Sequence, residues 1–340
     1  MADAAVLALS LGDPAGVGIE LALAAWLARD RENLPAFAVV GGADLLPAAA
    51  KQLGVAVPIV RVATPAEAAA AFATALPVLP GPDGAYTPGE PNRDGAVLAL
   101  ASLAEAARLA ASGAVSALVT APIAKARLAA VGFAHPGQTE FVAAACGVSP
   151  DDAVMMLAGP QLRTVPLTVH VALAAVPALI TAELIVHKAR IVAAALARDF
   201  GIVRPRLAVA ALNPHGGEDG RMGDQEARII APAIAALQAE GIAITGPHPA
   251  DALFAARARR DYDVALCMYH DQALIPLKTL DFDAGVNVTL GLPLVRTSPD
   301  HGTAFGIAGR RLADPGATIA ALRMAGECAA RRLPKRLPSL

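Results

Sequence analysis

Three histidines in this chain each follow a short run of apolar, β-prone residues. "RTVPLTVH" ends at His170, "RLAVAALNPH" at His215 and "DVALCMYH" at His270. Neutral imidazole is a common ligand for borderline divalent metals such as zinc and cobalt. In parallel α/β sheets the C-terminal ends of the strands converge on one crevice, where ligands bind. Three imidazoles meeting there would make an open metal site, with positions left for water or substrate. The competing reading makes each an unrelated loop or core histidine, and no HExxH or HxH spacing decides between the two.

Other polar groups cluster along the same stretches. "NPHGGEDGRMGDQE" surrounds His215 with glycines, which let backbone approach a ligand closely, or simply make a flexible surface loop. Its acids, Glu218, Asp219, Asp224 and Glu226, suit either a role in orienting the histidines or the start of a helix. Lys278, Asn287 and Arg296 lie among apolar residues, where a cation needs a partner. That partner is an anionic ligand, phosphate or carboxylate, or an internal carboxylate such as Asp271, Asp281 or Asp283. "HPGQTEF" offers Gln138, Thr139 and Glu140 in a proline-glycine turn. "SLGDPAGVGIE" invites a dinucleotide-loop reading, but Gly12, Gly16 and Gly18 have neither the Rossmann spacing nor the GK[ST] ending of a P-loop. The loop still offers amides and Asp13 to a ligand.

The elements that must position these groups are legible as an alternation. Expected strands cover residues 5–10, 36–42, 117–123, 153–158, 163–170, 206–213 and 263–270, and expected helices 96–112, 182–200 and 224–240. Several strand runs are apolar throughout, as strands covered on both faces are. The pattern predicts an α/β protein with mostly parallel sheets. Its 340 residues suggest about two domains at roughly 150 residues each. Residues 77–92 read as a Pro/Gly-rich loop and "RRLPKRLPSL" as a basic, proline-broken tail that frays.

Composition excludes several classes. Net charge is −2 and no long Lys/Arg cluster exists, which argues against nucleic acid as the partner. The start of the chain lacks the basic region of a signal peptide. The longest uncharged stretch, between Arg163 and Glu183, holds Pro166, His170 and Pro177, so it reads as a strand and a helix start, not a membrane span. Cys146, Cys267 and Cys328 are far apart and form no CxxC pair, so neither a disulfide framework nor a zinc ribbon is expected. A soluble protein of the reducing cytoplasm is the expectation.

Seven stretches together carry a resemblance: "GDPAGVG", "TAPIAK", "PGQTEF", "LNPHGGEDGRMG", "HPADALF", "YHDQALIPLK" and "GVNVTLGLPLVRTSPDHGTA". In this order, from about residue 6 to 315, the chain resembles the 4-hydroxythreonine-4-phosphate dehydrogenase family of vitamin B6 synthesis. The resemblance implies a two-domain α/β/α fold like that of the isocitrate and isopropylmalate dehydrogenases. On it, 1–125 plus 290–340 make the first domain and 126–289 the second, which carries the histidines, with the active site in the cleft between. It implies a homodimer with shared active sites, and NAD-dependent, metal-dependent oxidation and decarboxylation of 4-phosphooxy-L-threonine to 3-amino-2-oxopropyl phosphate.

Carried over by motif, the metal ligands fall on His170, His215 and His270, and the substrate contacts on Gln138, Thr139, Lys278, Asn287 and Arg296. "HGTAFGIAG" is similar to the adenosine-holding loop of the β-decarboxylating dehydrogenases, which makes His301, Gly302, Thr303 and Ala304 cofactor candidates for NAD or NADP. Asp251, Asp271 and Lys278 are the catalytic candidates, the two acids for orienting the histidines or taking a hydroxyl proton. Where the family commonly has PGHTE this chain has PGQTE, and Gln138 can hydrogen-bond but not titrate. His135, three residues earlier, is not assumed to replace it. The metal is open among zinc, cobalt, magnesium and manganese. The alternatives are a sister dehydrogenase for another phosphorylated hydroxy acid, such as a four-carbon sugar acid 4-phosphate, a metal-dependent hydrolase or aldolase, and a non-catalytic metal- or phosphate-binding protein.

Overall fold

The computed structural model describes residues 6–332; the first five residues and the part of the basic tail beyond Arg332 lie outside them. Along the chain the strands are β1 (Leu7–Ser10), β2 (Phe37–Val40), β3 (Ile59–Arg61), β4 (Leu76–Leu79), β5 (Ala117–Val119), β6 (Val154–Ala158), β7 (Arg163–Pro166), β8 (Leu207–Ala210), β9 (Ile244–His248), β10 (Val264–Cys267), β11 (Val286–Leu290) and β12 (Arg296–Pro299). Helices alternate with them, as expected for an α/β chain. The chain divides into two compact units. One comprises the described residues up to Pro150 and from Leu292 onward, the other Asp151–Gly291.

In the first unit the strand order is β3-β4-β2-β1-β5-β12, and every pairing is parallel. β1 and β2 are buried at every position, which suits strands covered on both faces. Helix Arg93–Ala111 begins where the Asn92 side chain accepts the Gly95 N–H at 2.8 Å. Its inner face packs Ala96, Ala99 and Leu103 against Leu128 and Phe133. That contact places residues 126–150 in the first unit, so the first crossing comes at Pro150, beyond the expected position near 125. The second unit ends at Gly291.

In the second unit the order is β11-β6-β7-β10-β8-β9. β7, β10, β8 and β9 run parallel, while β6 pairs antiparallel with both β7 and β11. The core gathers Leu157, Leu162, Ala208, Ala265, Cys267 and Leu277. Helix Ala182–Phe200 starts on Thr181, whose hydroxyl accepts the Leu184 N–H at 3.1 Å. Residues 163–183 form β7 and short helical turns, and no helix among the described residues is long and apolar enough to cross a membrane.

Candidate active site

The strands that precede the three histidines, β7, β10 and β8, are consecutive neighbours in the parallel part of the second unit's sheet. Each strand stops before its histidine. His170 lies four residues past β7, His270 opens helix His270–Asp281, and His215 sits in the turn Pro214–Gly217. Side chains tie these strand ends together. The Thr168 hydroxyl donates to the Met268 carbonyl at 2.8 Å, joining β7 to β10. Buried Gln272 accepts the Met268 N–H at 2.7 Å and donates to the Ala211 carbonyl at 2.8 Å, joining β10 to β8. Neither Thr168 nor Gln272 is marked out by sequence alone, since each needs a knowledge of which strands are adjacent.

The His170 and His270 rings lie 5.6 Å apart between centroids. They line a cavity of about 240 Å³ with Thr168, Val171, Tyr269 and Asp271. An Asp271 carboxylate oxygen stands 2.7 Å from His270 Nδ1, which fixes that ring's orientation and leaves Nε2 for another ligand. Asp251, the other acidic candidate, is exposed on the first turn of helix Ala250–Leu253. Among the described residues no group of three or more His, Cys, Asp or Glu side chains is set to hold a metal ion. Two imidazoles are together and the third follows the adjacent strand; as a donor set they suit a borderline divalent ion.

His170 and His215 both have left-handed backbone, at φ 53° and 52°. His215 begins a run in which Gly216, Gly217, Glu218, Asp219 and Gly220 also have positive φ. Left-handed backbone costs a non-glycine residue about 1–2 kcal/mol, so His215, Glu218 and Asp219 hold this shape only because something imposes it. Of the loop's acids, Glu226 is buried: one carboxylate oxygen accepts the Asn213 backbone N–H at 2.7 Å and the other its Nδ2 at 2.9 Å. Hydrogen bonds to a charged group contribute about 1.5–3 kcal/mol each, enough to offset such strain. Glu218 and Asp219 are exposed, and Asp224 pairs with Arg228 at the surface.

The first unit holds the cationic feature. Arg296 opens β12 and is 3% exposed. It donates to the Thr120 hydroxyl at 2.6 Å and to the Thr139 hydroxyl at 3.4 Å. Burial pushes its guanidinium down to about 10, with the Glu140 charge pulling the other way. Gln138 opens the helix that carries Thr139 and donates to the Ala121 carbonyl at 3.3 Å. His135 packs edge-on against Phe133 and Phe141, so its ring serves an aromatic cluster. Lys278 and Asn287 lie in the second unit, half-buried on helix His270–Asp281 and on β11, and Asn287 Oδ1 is buried with no hydrogen-bond partner.

The cofactor-candidate loop meets the glycine loop that failed the dinucleotide spacing. Val17 N–H donates to the Thr303 carbonyl at 2.9 Å, joining "GDPAGV" to residues 301–304. Ala304 is left-handed at φ 46°, and His301 Nδ1 lies 3.0 Å from the Gly302 carbonyl. Buried Asp13 accepts the Ala15 N–H on one oxygen, while its other oxygen and His301 Nε2 have no hydrogen-bond partner. A buried acceptor and a buried imidazole nitrogen without partners, on two loops that meet, are polar groups that a dinucleotide's hydroxyls or amide would satisfy.

The fold and these groups define an α/β protein with a buried guanidinium in one unit and paired imidazoles at parallel strand ends in the other. A family described as pyridoxal phosphate biosynthetic protein PdxA matches residues 33–325, and the chain belongs to it. It is 65% identical to a 4-hydroxythreonine-4-phosphate dehydrogenase of Erythrobacter litoralis (strain HTCC2594), over 96% of this chain and 97% of that protein. The structure is similar to a crystal structure of the Klebsiella pneumoniae 4-hydroxythreonine-4-phosphate dehydrogenase. The TM-score is 0.85 and the identity 35%, covering 96% of this chain and 99% of that one. A terephthalate 1,2-cis-dihydrodioldehydrogenase from Burkholderia xenovorans LB400 is similar at TM-score 0.65 and 30% identity, covering 95% of this chain and 98% of that one.

Proposed function

We propose that this chain catalyses the NAD-dependent oxidation and decarboxylation of 4-phosphooxy-L-threonine to 3-amino-2-oxopropyl phosphate, in pyridoxal 5'-phosphate synthesis. The observation that carries the reading is the pair His170 and His270 at the ends of adjacent parallel strands, in a chain of this family. His170, His215 and His270 would hold a divalent ion, whose chemistry when bound is Lewis acidity toward a hydroxyl and its carbonyl product. His301, Gly302, Thr303 and Ala304 would hold NAD or NADP, which takes up the hydride.

The remaining work falls to the chain's own groups. Arg296 and Thr139 bind an anionic end of the substrate, and Lys278 and Asn287 supply a further cation and amide. That binding holds the reacting carbon in place. Asp271 orients His270 and is the better placed of the two acids to take a hydroxyl proton, because it touches an imidazole while Asp251, exposed like it, stands on a separate helix. Gln138 donates a hydrogen bond but takes up no proton. The working form is a homodimer with shared sites, acting in the cytoplasm.

Gln138 favours one second reading, a sister dehydrogenase for another phosphorylated hydroxy acid, because it alters the position where the family commonly places histidine. NAD reduction with 4-phosphooxy-L-threonine, a four-carbon sugar acid 4-phosphate and a cis-dihydrodiol, each alone, separates the readings. Reduction with the first is the expected result. Reduction with the second or third only would replace the proposed substrate.

A further inference from the structure

We propose that Glu226 is a positioning residue that fixes the His215 loop by holding Asn213, an inference that rests on His215 being a metal ligand. Both oxygens of this 5%-exposed carboxylate are committed to one residue, which stands two positions before the histidine. Asn213 Nδ2 also donates to Gln225 Oε1 at 2.8 Å, so the start of the loop is held from two consecutive side chains. The loop leaves this anchor in left-handed backbone from His215 through Gly220. It closes back on it at Gly217, where a Cβ would stand 2.9 Å from Glu226 Oε2 and 2.7 Å from the Gly223 carbonyl. Glu226 lies within the π-helical turn Glu226–Ile230, whose wider winding differs from the α-helix that continues it.

The chemistry asks for a carboxylate here. Both Asn213 groups that face Glu226 are donors, so the acceptor must offer two oxygens. A glutamine keeps the shape but turns an NH₂ toward the Asn213 NH₂. Reversing the pair, with aspartate at 213 and glutamine at 226, restores a donor facing an acceptor, and the Gln225 amide can rotate to donate.

The test uses full-length protein stripped of metal: wild type, Glu226→Gln, Asn213→Asp/Glu226→Gln and His215→Ala. Cobalt(II) binding is read by calorimetry, and hydrogen exchange is followed over residues 213–226. Glu226→Gln is expected to weaken cobalt binding by about 10–100-fold, the usual effect of removing a group that orients a ligand, and to speed exchange in the loop. The reversed pair is expected to recover most of both, which a general loss of stability would not allow. Wild-type binding and exchange in Glu226→Gln would overturn the proposal, as would failure of the reversed pair to recover them. If Glu226→Gln does not fold, recovery in the reversed pair decides. Unchanged cobalt affinity in His215→Ala would instead remove the metal reading, and the exchange data alone would then judge Glu226.

Discussion

Asp13 carries a cost that depends on pH. Burial raises its carboxyl pKa above the usual 3.8, with the Ala15 N–H and the Arg127 charge opposing. The folded state therefore binds this proton more tightly than the unfolded chain, and stability falls as pH rises from 3.8 through the folded value. Asp13→Asn removes the charge and keeps an acceptor for Ala15. It is expected to melt above wild type at neutral pH, with the gain vanishing as pH falls toward 3.8. A pH series of thermal melts checks this, and a gain independent of pH would count against burial of charge as the cause. Arg296 is a buried guanidinium that the proposed function assigns to the substrate's anionic end. Arg296→Lys keeps the charge but loses the planar fork, and is expected to raise KM for the phosphorylated substrate about tenfold, or ~1.4 kcal/mol, with KM for NAD changed less than twofold. Equal changes in the two constants would argue against anion recognition. At this scale the sequence singled out the residues, and the structure brings His170 beside His270 and Arg296 beside Thr139. Glu226 was visible as an acid at a helix start, but its hold on Asn213 depends on a loop path that composition does not encode.

Among the elements, the expected strands overran the real ones. "RTVPLTVH" and "DVALCMYH" read as strands to their histidines, yet β7 ends at Pro166 and β10 at Cys267. Apolar side chains continue past each strand because the first loop residues are buried too, as Leu167 and Met268 are. Helix Ala182–Phe200 fell where expected, since its Thr181 cap and apolar periodicity are local signals. β3, β4, β9, β11 and β12 escaped notice: β3 has three residues and β4, β9 and β12 contain proline, while β11 is as long as β6 and carries no such mark against it. One element joint gives a sharp expectation. Gly291 ends the second unit at φ 84°, and a Cβ there would overlap the Asp152 carbonyl. Gly291→Ala is expected to destabilise by about 2 kcal/mol or more, because the φ and the clash add. Urea unfolding checks this, and an unchanged midpoint would refute the close approach.

For the whole molecule, the alternation of apolar runs and Ala-rich helices was enough to foresee an α/β protein with mostly parallel strands. The first crossing was not, because helices Lys125–Ala129 and Gln138–Ala145 join the first unit through Leu128, Phe133 and Phe141, contacts that no local pattern announces. The second unit is one continuous stretch, Asp151–Gly291, with its own core. Expressed alone it is expected to unfold in a single cooperative urea transition; a gradual, non-cooperative loss of structure would show that it depends on the rest of the chain. The proposed activity is tested most directly by supplying 4-phosphooxy-L-threonine and NAD to the full-length protein, stripped of metal and then reloaded with cobalt. NADH and carbon dioxide should appear in equal amounts from the reloaded protein and at a small fraction of that rate from the stripped one. Undiminished turnover without metal, or NADH without carbon dioxide, would contradict it.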